Sequence, residues 1–163
     1  MSPTIAVAVA ITVMLLGAGA VSTRVDTWYR SLRKPPWTPP NWCFAPAWTV
    51  ILSLACASSI LAWSASEPHT RWRVGLAFGC NAVLHLLWSP LFFRLRRPDL
   101  ALIEVAALWA SIVVLITLVQ PASALAALLL APYLLWVSYA AALNLAIVRL
   151  NARAAAGDRR ARV

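Results

Sequence analysis

Five long apolar runs occupy most of this 163-residue chain and limit what it can fold into. A helix needs about 20 predominantly apolar residues to cross the hydrocarbon core of a bilayer. Hydrophobic residues make up 62% of the chain and charged residues only 12%. The runs therefore predict an all-α membrane protein with five transmembrane helices. We expect these helices at residues 3–21, 45–64, 74–93, 100–119 and 122–148.

The links between the runs indicate how the helices are arranged. Three of the four links are short: 65–73, 94–99 and 120–121. Short links make consecutive helices antiparallel neighbours, which predicts an up-down bundle. The bundle forms one domain over residues 1–150, and the basic, Ala/Arg-rich segment 151–163 is expected to be a flexible tail.

The remaining link, residues 22–44, contains four prolines between Lys34 and Asn41. Proline fixes its own backbone φ angle, and it pushes the preceding residue towards an extended conformation. We therefore expect a long, ordered loop between helices 1 and 2 that covers one end of the bundle.

Basic residues are distributed unevenly among the links. Of the 14 lysine and arginine residues, all except Arg71 and Arg73 lie in loop 22–44, link 94–99 or the segment after residue 148. Positively charged links remain on the cytoplasmic side of a membrane. This predicts a bacterial inner-membrane protein with the loop and C-terminus in the cytoplasm and the N-terminus outside. Topology explains the net charge of +9, so no nucleic-acid partner is expected.

Aromatic residues are concentrated in and beside the loop. The chain has nine tryptophans, and Trp28, Trp37, Trp42 and Trp48 lie within about 20 residues of one another. Tryptophan presents a large flat face and one N–H donor, which suits a flat, mostly apolar ligand. The alternative is that these rings anchor the protein at the membrane interface.

Polar residues inside a membrane span are costly and require a reason. Asn81, His85, Trp88 and Phe92 are spaced by four, three and four residues, which places them on one helical face. That face could form the wall of a ligand pocket, or Asn81 and His85 could bond to neighbouring helices. Glu104 is expected near the interface, snorkelling or paired with an arginine; the alternative is a deeper role beside His85.

Two further features concern helices 3 and 5. Pro132 removes a backbone hydrogen bond and is expected to bend helix 5, with Trp136 one turn further on, facing the same cavity. Gly75 and Gly79 are four residues apart, a spacing that lets two helices approach closely. They predict a homodimer through this face of helix 3.

The sequence has no recognisable enzyme motif. There is no Ser/His/Asp order, no Gly-rich phosphate loop and no spacing typical of metal ligands, so no catalytic residue or metal site is assigned. Any chemistry would have to use aromatic side chains or a bound cofactor.

Three segments together resemble a known family. The first loop reads Trp28-Tyr29-x-x-Leu32-x-Lys34-Pro35-x-Trp37-x-Pro39-Pro40, followed by Trp48. Later come Trp88-Ser89-Pro90-Leu91-Phe92-Phe93 and Pro132-Tyr133-x-x-Trp136 with Leu143-Asn144. In order and over nearly the whole chain, these resemble the TspO/MBR family. Its members are the tryptophan-rich sensory proteins, bacterial relatives of the mitochondrial translocator protein, or peripheral-type benzodiazepine receptor.

The resemblance implies a five-helix bundle, usually dimeric, with a ligand pocket beneath the first loop. It also implies protoporphyrin IX or haem as the ligand, with no cofactor required, and a role as receptor or regulator in tetrapyrrole metabolism and stress response. The residues expected to bind the ligand are Tyr29, Trp37, Pro40, Trp48, Leu52, Asn81, His85, Trp88, Trp136 and Ala140.

Some relatives promote light-dependent porphyrin breakdown, which leaves a porphyrin-degrading enzyme as an alternative, with Trp48 and Trp136 as the reactive residues. A transporter of tetrapyrroles or other small apolar ligands is the third alternative.

The chain departs from the family pattern at three positions. His85 stands where the family usually has asparagine, and a histidine could be a ligand of haem iron. Leu52 replaces an aromatic residue four positions after Trp48, which reshapes that wall of the pocket. Leu145 replaces the aromatic residue of the cholesterol-recognition motif, which weakens the expectation of sterol binding there.

Overall fold

A computed structural model describes residues 3–22 and 26–160, with the side chains of residues 20, 22 and 153–160 excluded. Arg24, one of the basic residues assigned to the loop, lies outside these ranges. Over the described residues the chain is entirely helical, with no strand. The predicted fold class, all-α, is confirmed to that extent.

Seven α-helices are present in the described part of the chain. They are α1 (Pro3–Ser22), α2 (Thr27–Ser31), α3 (Phe44–Ala65), α4 (Arg71–Ser89), α5 (Pro98–Val119), α6 (Ala124–Leu129) and α7 (Ala131–Arg160). One 3-10 turn, Asn41–Cys43, leads into α3, and a π-helical turn, Pro90–Arg94, continues α4.

Four helical segments among the described residues are long and apolar enough to cross a membrane. They are Asn41–Ala65, Arg71–Arg94, Pro98–Val119 and Ala124–Ala152. Pro3–Gly19 of α1 is a shorter apolar helix. Length and composition therefore identify an integral membrane protein.

The last predicted span differs from the single bent helix expected at 122–148. α6 begins after Ser123, whose hydroxyl accepts a hydrogen bond from the Ala126 backbone N–H, and it ends before Leu130. Pro132 is the second residue of α7. A proline in the first turn of a helix lacks only an N–H that would have no partner there. The disturbance predicted at Pro132 therefore takes the form of a one-residue break at Leu130, within a segment that is still long enough to be one span.

α7 also extends further than predicted. Its backbone is helical to Arg160, whereas residues 151–163 were expected to be a flexible tail. Alanine and arginine have high helix propensity, and no proline interrupts this segment. The flexibility of the tail stays a prediction.

The helices pack around two apolar clusters. α5 packs against both α4 and α7, while α1 packs against α3 and α4. The central cluster is built on buried residues of α3, α5 and α7: Ile51, Val105, Leu108, Ile112, Leu115, Tyr133 and Val137. The loop-side cluster comprises Tyr29, Phe92, Phe93, Ala101, Leu143 and Ile147.

Hydrogen bonds fasten the first loop to the rest of the molecule. The Asn151 side chain accepts from the Arg33 backbone N–H at 3.1 Å and donates to the Arg33 carbonyl at 3.0 Å. Arg96 Nη2 lies 3.1 Å from Asp26 Oδ2. The loop, the link after α4 and the end of α7 therefore meet at one end of the bundle.

Replacing Asn151 with alanine should loosen the loop. Both bonds to Arg33 are lost, each worth about 0.5–1.5 kcal/mol. We expect backbone amide exchange at residues 32–38 to accelerate several-fold, measured by hydrogen–deuterium exchange mass spectrometry in lipid. Gln120→Ala, an exposed amide between α5 and α6, is the control. Equal exchange rates in the two variants would show that the two Asn151–Arg33 hydrogen bonds do not hold the loop in place.

Candidate functional site

Four rings from three helices meet near the middle of the bundle. Trp48 of α3 packs edge-on against His85 of α4, with ring centroids 4.7 Å apart. Trp48 also lies 6.1 Å from Tyr133 and 6.3 Å from Trp136, both on α7. All three contacts are T-shaped, an arrangement that aromatic pairs prefer over a face-to-face sandwich. We call Trp48, His85, Tyr133 and Trp136 the inner aromatic cluster.

A chain of further rings leads from this cluster to the loop. Trp136 contacts Phe44 at 6.0 Å and Tyr139 at 5.9 Å. Tyr139 contacts Trp37 at 5.7 Å, and its hydroxyl donates to the Trp37 carbonyl at 2.8 Å. The proline-rich loop is therefore connected to α7 by direct ring contact.

A second group of rings lies beneath the start of the loop. Trp88 stacks on Phe92 with centroids 5.0 Å apart. Tyr29 lies 5.4 Å from Phe93, and Trp28 lies 5.9 Å from Phe92. Tyr29 is buried in the loop-side cluster, and this burial raises the pKa of its hydroxyl above the ordinary value.

Two hollows adjoin the rings. A cavity of about 390 Å³ in the loop is lined by Tyr29, Arg30, Lys34, Thr38, Pro39, Pro40 and Asn41. A groove of about 580 Å³ runs between α3 and α7, with walls that include Pro46, Val50, Ile51, Leu135, Trp136 and Tyr139. We call them the loop cavity and the lateral groove. Trp37 belongs to the loop that lines the loop cavity, and Tyr139 lines the lateral groove. The contact between their rings therefore connects the borders of the two hollows.

The structure brings only some of the predicted ligand-binding residues together. Trp48, His85 and Trp136 meet in the inner aromatic cluster, where their rings fill the space between them. Tyr29 and Pro40 line the loop cavity instead. The other members of the predicted set are distributed around these two places: Trp37 on Tyr139, Trp88 on Phe92, Leu52 buried in α3, Asn81 against α5 and Ala140 half-buried in α7.

The polar side chains within the spans differ in whether they have a hydrogen-bond partner. Asn81 donates to Ser111 Oγ at 2.8 Å, the interhelical bond that the packing alternative predicts. Glu104 is only 7% exposed and makes no ion pair or hydrogen bond among the described residues. Arg97 pairs with Asp99 instead, at 2.6 Å. The expectation that Glu104 snorkels or pairs with an arginine is therefore wrong, because its helical face packs into the bundle.

The positive charges of the loop are not equivalent. Lys34 Nζ donates to the carbonyls of Tyr29 and Leu32 and lies 4.4 Å from the centre of the Tyr29 ring. Burial lowers the pKa of Lys34. Its ammonium is thus occupied within the loop, whereas the guanidinium groups of Arg30 and Arg33 are exposed. Arg30 is the exposed cation that also lines the loop cavity.

Sequence reasoning did not assign Phe44, Tyr133 or Tyr139 to the site. A signal was available on α7, where Tyr133, Trp136 and Tyr139 recur every third residue. Residues three apart lie on neighbouring positions of a helix surface, so this spacing predicts an aromatic stripe.

The two glycines proposed for dimerisation have different surroundings. A Cβ atom added at Gly75 would lie 3.2 Å from the ring of Trp63, so Gly75 also allows α3 to approach α4. At Gly79 nothing lies within 4 Å of the added atom. Gly79 therefore lies on an open surface of the chain.

The sequence can be compared with those of known proteins. A sequence profile of the TspO/MBR family matches residues 5–150. This chain belongs to the TspO/MBR family. The membership predicted from the loop motif is thereby confirmed.

Its TspO/MBR relatives span archaea, bacteria and mammals. The tryptophan-rich protein TspO of Archaeoglobus fulgidus is 40% identical over 136 residues, covering 83% of this chain and 88% of the relative. Protein CrtK of Rhodobacter capsulatus is 34% identical, with 83% and 85% covered. The translocator protein of Sus scrofa is 35% identical over 127 residues, with 76% and 75% covered.

Proposed function

We propose that this TspO/MBR protein is a membrane receptor or regulator that binds a porphyrin, protoporphyrin IX or haem, beneath its first loop. The observation that carries the proposal is the convergence of Trp48, His85 and Trp136 from three helices. Indole rings offer wide apolar faces, and a porphyrin is a wide, flat and largely apolar molecule.

The charge distribution supports an orientation for the ligand. A porphyrin with propionate groups carries negative charge at one edge, and a buried unpaired carboxylate is costly. Arg30 lines the loop cavity, and Arg33 follows it three residues later. Guanidinium groups bind carboxylates with paired hydrogen bonds. The propionate edge therefore points towards the loop, and the macrocycle points towards the inner aromatic cluster.

The position of the lateral groove supports the same placement. The groove measures about 580 Å³ and is open to the surface between α3 and α7. Trp136 lines the groove and also touches Trp48. A turn of the Trp136 ring would open the inner aromatic cluster to the groove and admit the macrocycle.

Fluorescence provides the test. Protoporphyrin IX added to the protein in lipid nanodiscs should quench part of the tryptophan emission with a saturable, single-site isotherm. An octacarboxylate porphyrin is the matched control, because the same macrocycle with eight charges is too costly to bury. Equal quenching by both compounds, or quenching that never saturates, would contradict the proposal.

We also propose the membrane arrangement. α1 acts as a fifth span of an up-down bundle in a bacterial inner membrane, with the N-terminus outside and the C-terminus in the cytoplasm. Two contacts support the sidedness. Arg96 pairs with Asp26, and Asn151 bonds to Arg33, so three basic segments share one end of the molecule. The positive-inside rule assigns that end to the cytoplasm.

A homodimer through the open face of α4 completes the proposal. Gly79→Ile would place a branched side chain where close helix approach requires a small residue. We expect the variant to run as a monomer in cross-linking and in single-molecule photobleaching in bilayers. Ala106→Ile, at an exposed position on α5, should leave the dimer intact. A dimer that survives Gly79→Ile would exclude this face.

A further inference from the structure

The loop cavity and the lateral groove differ in chemical character. The loop cavity is lined by two cations, Arg30 and Lys34, and no carboxylate is among its lining residues. The lateral groove is lined by apolar side chains together with the rings of Trp136 and Tyr139. Both hollows are open to the surroundings. A charged hollow and an apolar hollow on one molecule suit a ligand that is itself amphipathic.

Two structural links place the hollows side by side. Tyr139 lines the groove, and its hydroxyl donates to the carbonyl of Trp37, the residue before Thr38 of the loop cavity. The rings of Trp37 and Tyr139 also touch, with centroids 5.7 Å apart. Along the chain, Asn41 of the loop cavity comes five residues before Pro46 of the groove. A single ligand can therefore reach from one hollow into the other.

The span Asn41–Ala65 sets the depth of the two hollows in the membrane. Trp42, the second residue of this span, is 74% exposed, and exposed tryptophans favour the membrane–water interface. Pro46 and Ile51 of the groove lie about 8 and 15 Å beyond Asn41 along the helix. Each headgroup layer of a bilayer is about 5–8 Å thick. The loop cavity therefore lies at the level of the headgroups, and the groove lies at the level of the acyl chains.

Arg30 is the available cation of the loop cavity. The ammonium of Lys34 already donates to two backbone carbonyls of the loop. Arg30 is exposed, and neither of the ion pairs in the described part of the chain involves it. The exposed Asn41 adds amide N–H donors at the same cavity. These donors suit a phosphate group, which a guanidinium binds with paired hydrogen bonds.

We propose that the two hollows together bind one anionic phospholipid from the membrane leaflet on the loop side. Its phosphate lies at Arg30 in the loop cavity, and one acyl chain lies in the lateral groove between α3 and α7. Basic pockets between membrane-spanning helices bind anionic headgroups in this way. The position of Arg30 next to the groove distinguishes this lipid from those that only surround the protein.

Other occupants match only part of this surface. A soluble phosphate would fill the charged cavity without using the apolar groove. A zwitterionic phospholipid would bring its own cationic group next to Arg30 and Lys34, which like-charge repulsion disfavours. A second copy of this chain, packed through the same face, would bring another basic loop to the same end of the bundle. An anionic phospholipid satisfies both the cation and the groove.

The lipid also bears on the proposed porphyrin receptor. Arg30 is the proposed partner of the propionates, and the groove is the proposed route of the macrocycle past Trp136. Lipid and porphyrin would therefore compete for the same space. The lipid site itself rests on the two hollows and not on porphyrin binding, so it is tested in the porphyrin-free protein.

Native mass spectrometry of the detergent-solubilised protein tests the headgroup site. Phosphatidylglycerol and phosphatidylcholine with identical acyl chains are titrated separately, so that only the headgroup differs. We expect phosphatidylglycerol to bind as a single tight adduct and phosphatidylcholine to bind more weakly. Arg30→Gln should lower the affinity for phosphatidylglycerol about fivefold, the effect of one interfacial arginine, and leave that for phosphatidylcholine unchanged. Arg94→Gln is the matched control, because it removes an exposed charge at the same end of the bundle but outside both hollows.

A second variant tests the groove. Val50 lines it and is 58% exposed, so Val50→Trp should fill the groove and exclude the acyl chain. We expect the affinity for phosphatidylglycerol to fall about as much as in Arg30→Gln. Val114→Trp, at a position on α5 that is 56% exposed and outside both hollows, should bind the lipid like the unmodified protein. Thermal unfolding in the same detergent verifies that both variants are folded.

Four results would overturn the proposal. Equal affinities for the two lipids would show that Arg30 does not select the headgroup, and equal losses in Arg30→Gln and Arg94→Gln would indicate a general effect of charge. Displacement of phosphatidylglycerol by soluble glycerol phosphate would identify an anion site that needs no acyl chain. Loss of self-association with unchanged lipid binding in Val50→Trp would assign the groove to a second copy of this chain.

Discussion

Trp48→Ala should weaken protoporphyrin IX binding at least tenfold, which corresponds to about 1.4 kcal/mol or more. The Trp48 ring contacts His85, Tyr133 and Trp136, so its removal opens the centre of the inner aromatic cluster. Aromatic pairs contribute about 0.5–1.5 kcal/mol each beyond the area they bury. The porphyrin loses a stacking face, and the neighbouring rings lose the contacts that orient them.

Affinity in this variant should be measured from the absorption of the porphyrin, since the substitution also removes a fluorescent residue. Trp72→Ala is the matched control, because Trp72 is 60% exposed near the start of α4, outside the aromatic clusters. Thermal unfolding in the same lipid verifies that both variants are folded. If the two substitutions change the dissociation constant equally, the ligand does not contact the inner aromatic cluster.

His85→Asn should separate haem binding from metal-free porphyrin binding. The His85 ring faces Trp48 and Tyr133, with ring centroids 4.7 and 6.4 Å apart. A neutral imidazole is a common ligand of haem iron. We expect ferric haem to give the Soret spectrum of a histidine-ligated iron with the unmodified protein, and this spectrum to be lost in the variant. Haem affinity should fall about tenfold or more, whereas protoporphyrin IX affinity should change less than threefold.

The second histidine of the chain provides the control. His69 is exposed in the link between α3 and α4, so His69→Asn should leave both spectra and both affinities unchanged. An unaltered Soret band in His85→Asn would return His85 to a packing role beside Trp48. Equal losses for haem and protoporphyrin IX would indicate a change in the shape of the site instead of a lost iron ligand.

Sequence patterns predicted the positions of the spans well, but they did not predict where a helix within a span is interrupted. The runs predicted at 45–64 and 100–119 correspond to α3, Phe44–Ala65, and α5, Pro98–Val119. Apolar composition alone is sufficient there, because every residue of a span must face either lipid or protein. It does not place the break at Leu130, since the residues on both sides of it, 124–129 and 131–137, are mostly apolar.

The burial of Glu104 is a second feature that the sequence did not predict. Its place near the end of a span suggested the membrane interface, yet the structure buries it beside α4 and α7. The rotation of α5 about its own axis decides which residues face inward. Packing against two neighbours fixes that rotation, and an apolar helix carries too weak a polar–apolar asymmetry to predict it.

The sequence by itself determined the membrane environment, the all-helical fold class and the TspO/MBR membership, because length, hydropathy and a linear loop motif are properties of consecutive residues. Tertiary structure alone decided that Trp48, His85, Tyr133 and Trp136 meet, that Lys34 donates to carbonyls of its own loop, and that Glu104 is buried. These outcomes depend on contacts between segments far apart in the chain. Such contacts are set by helix register and rotation, which no local pattern encodes.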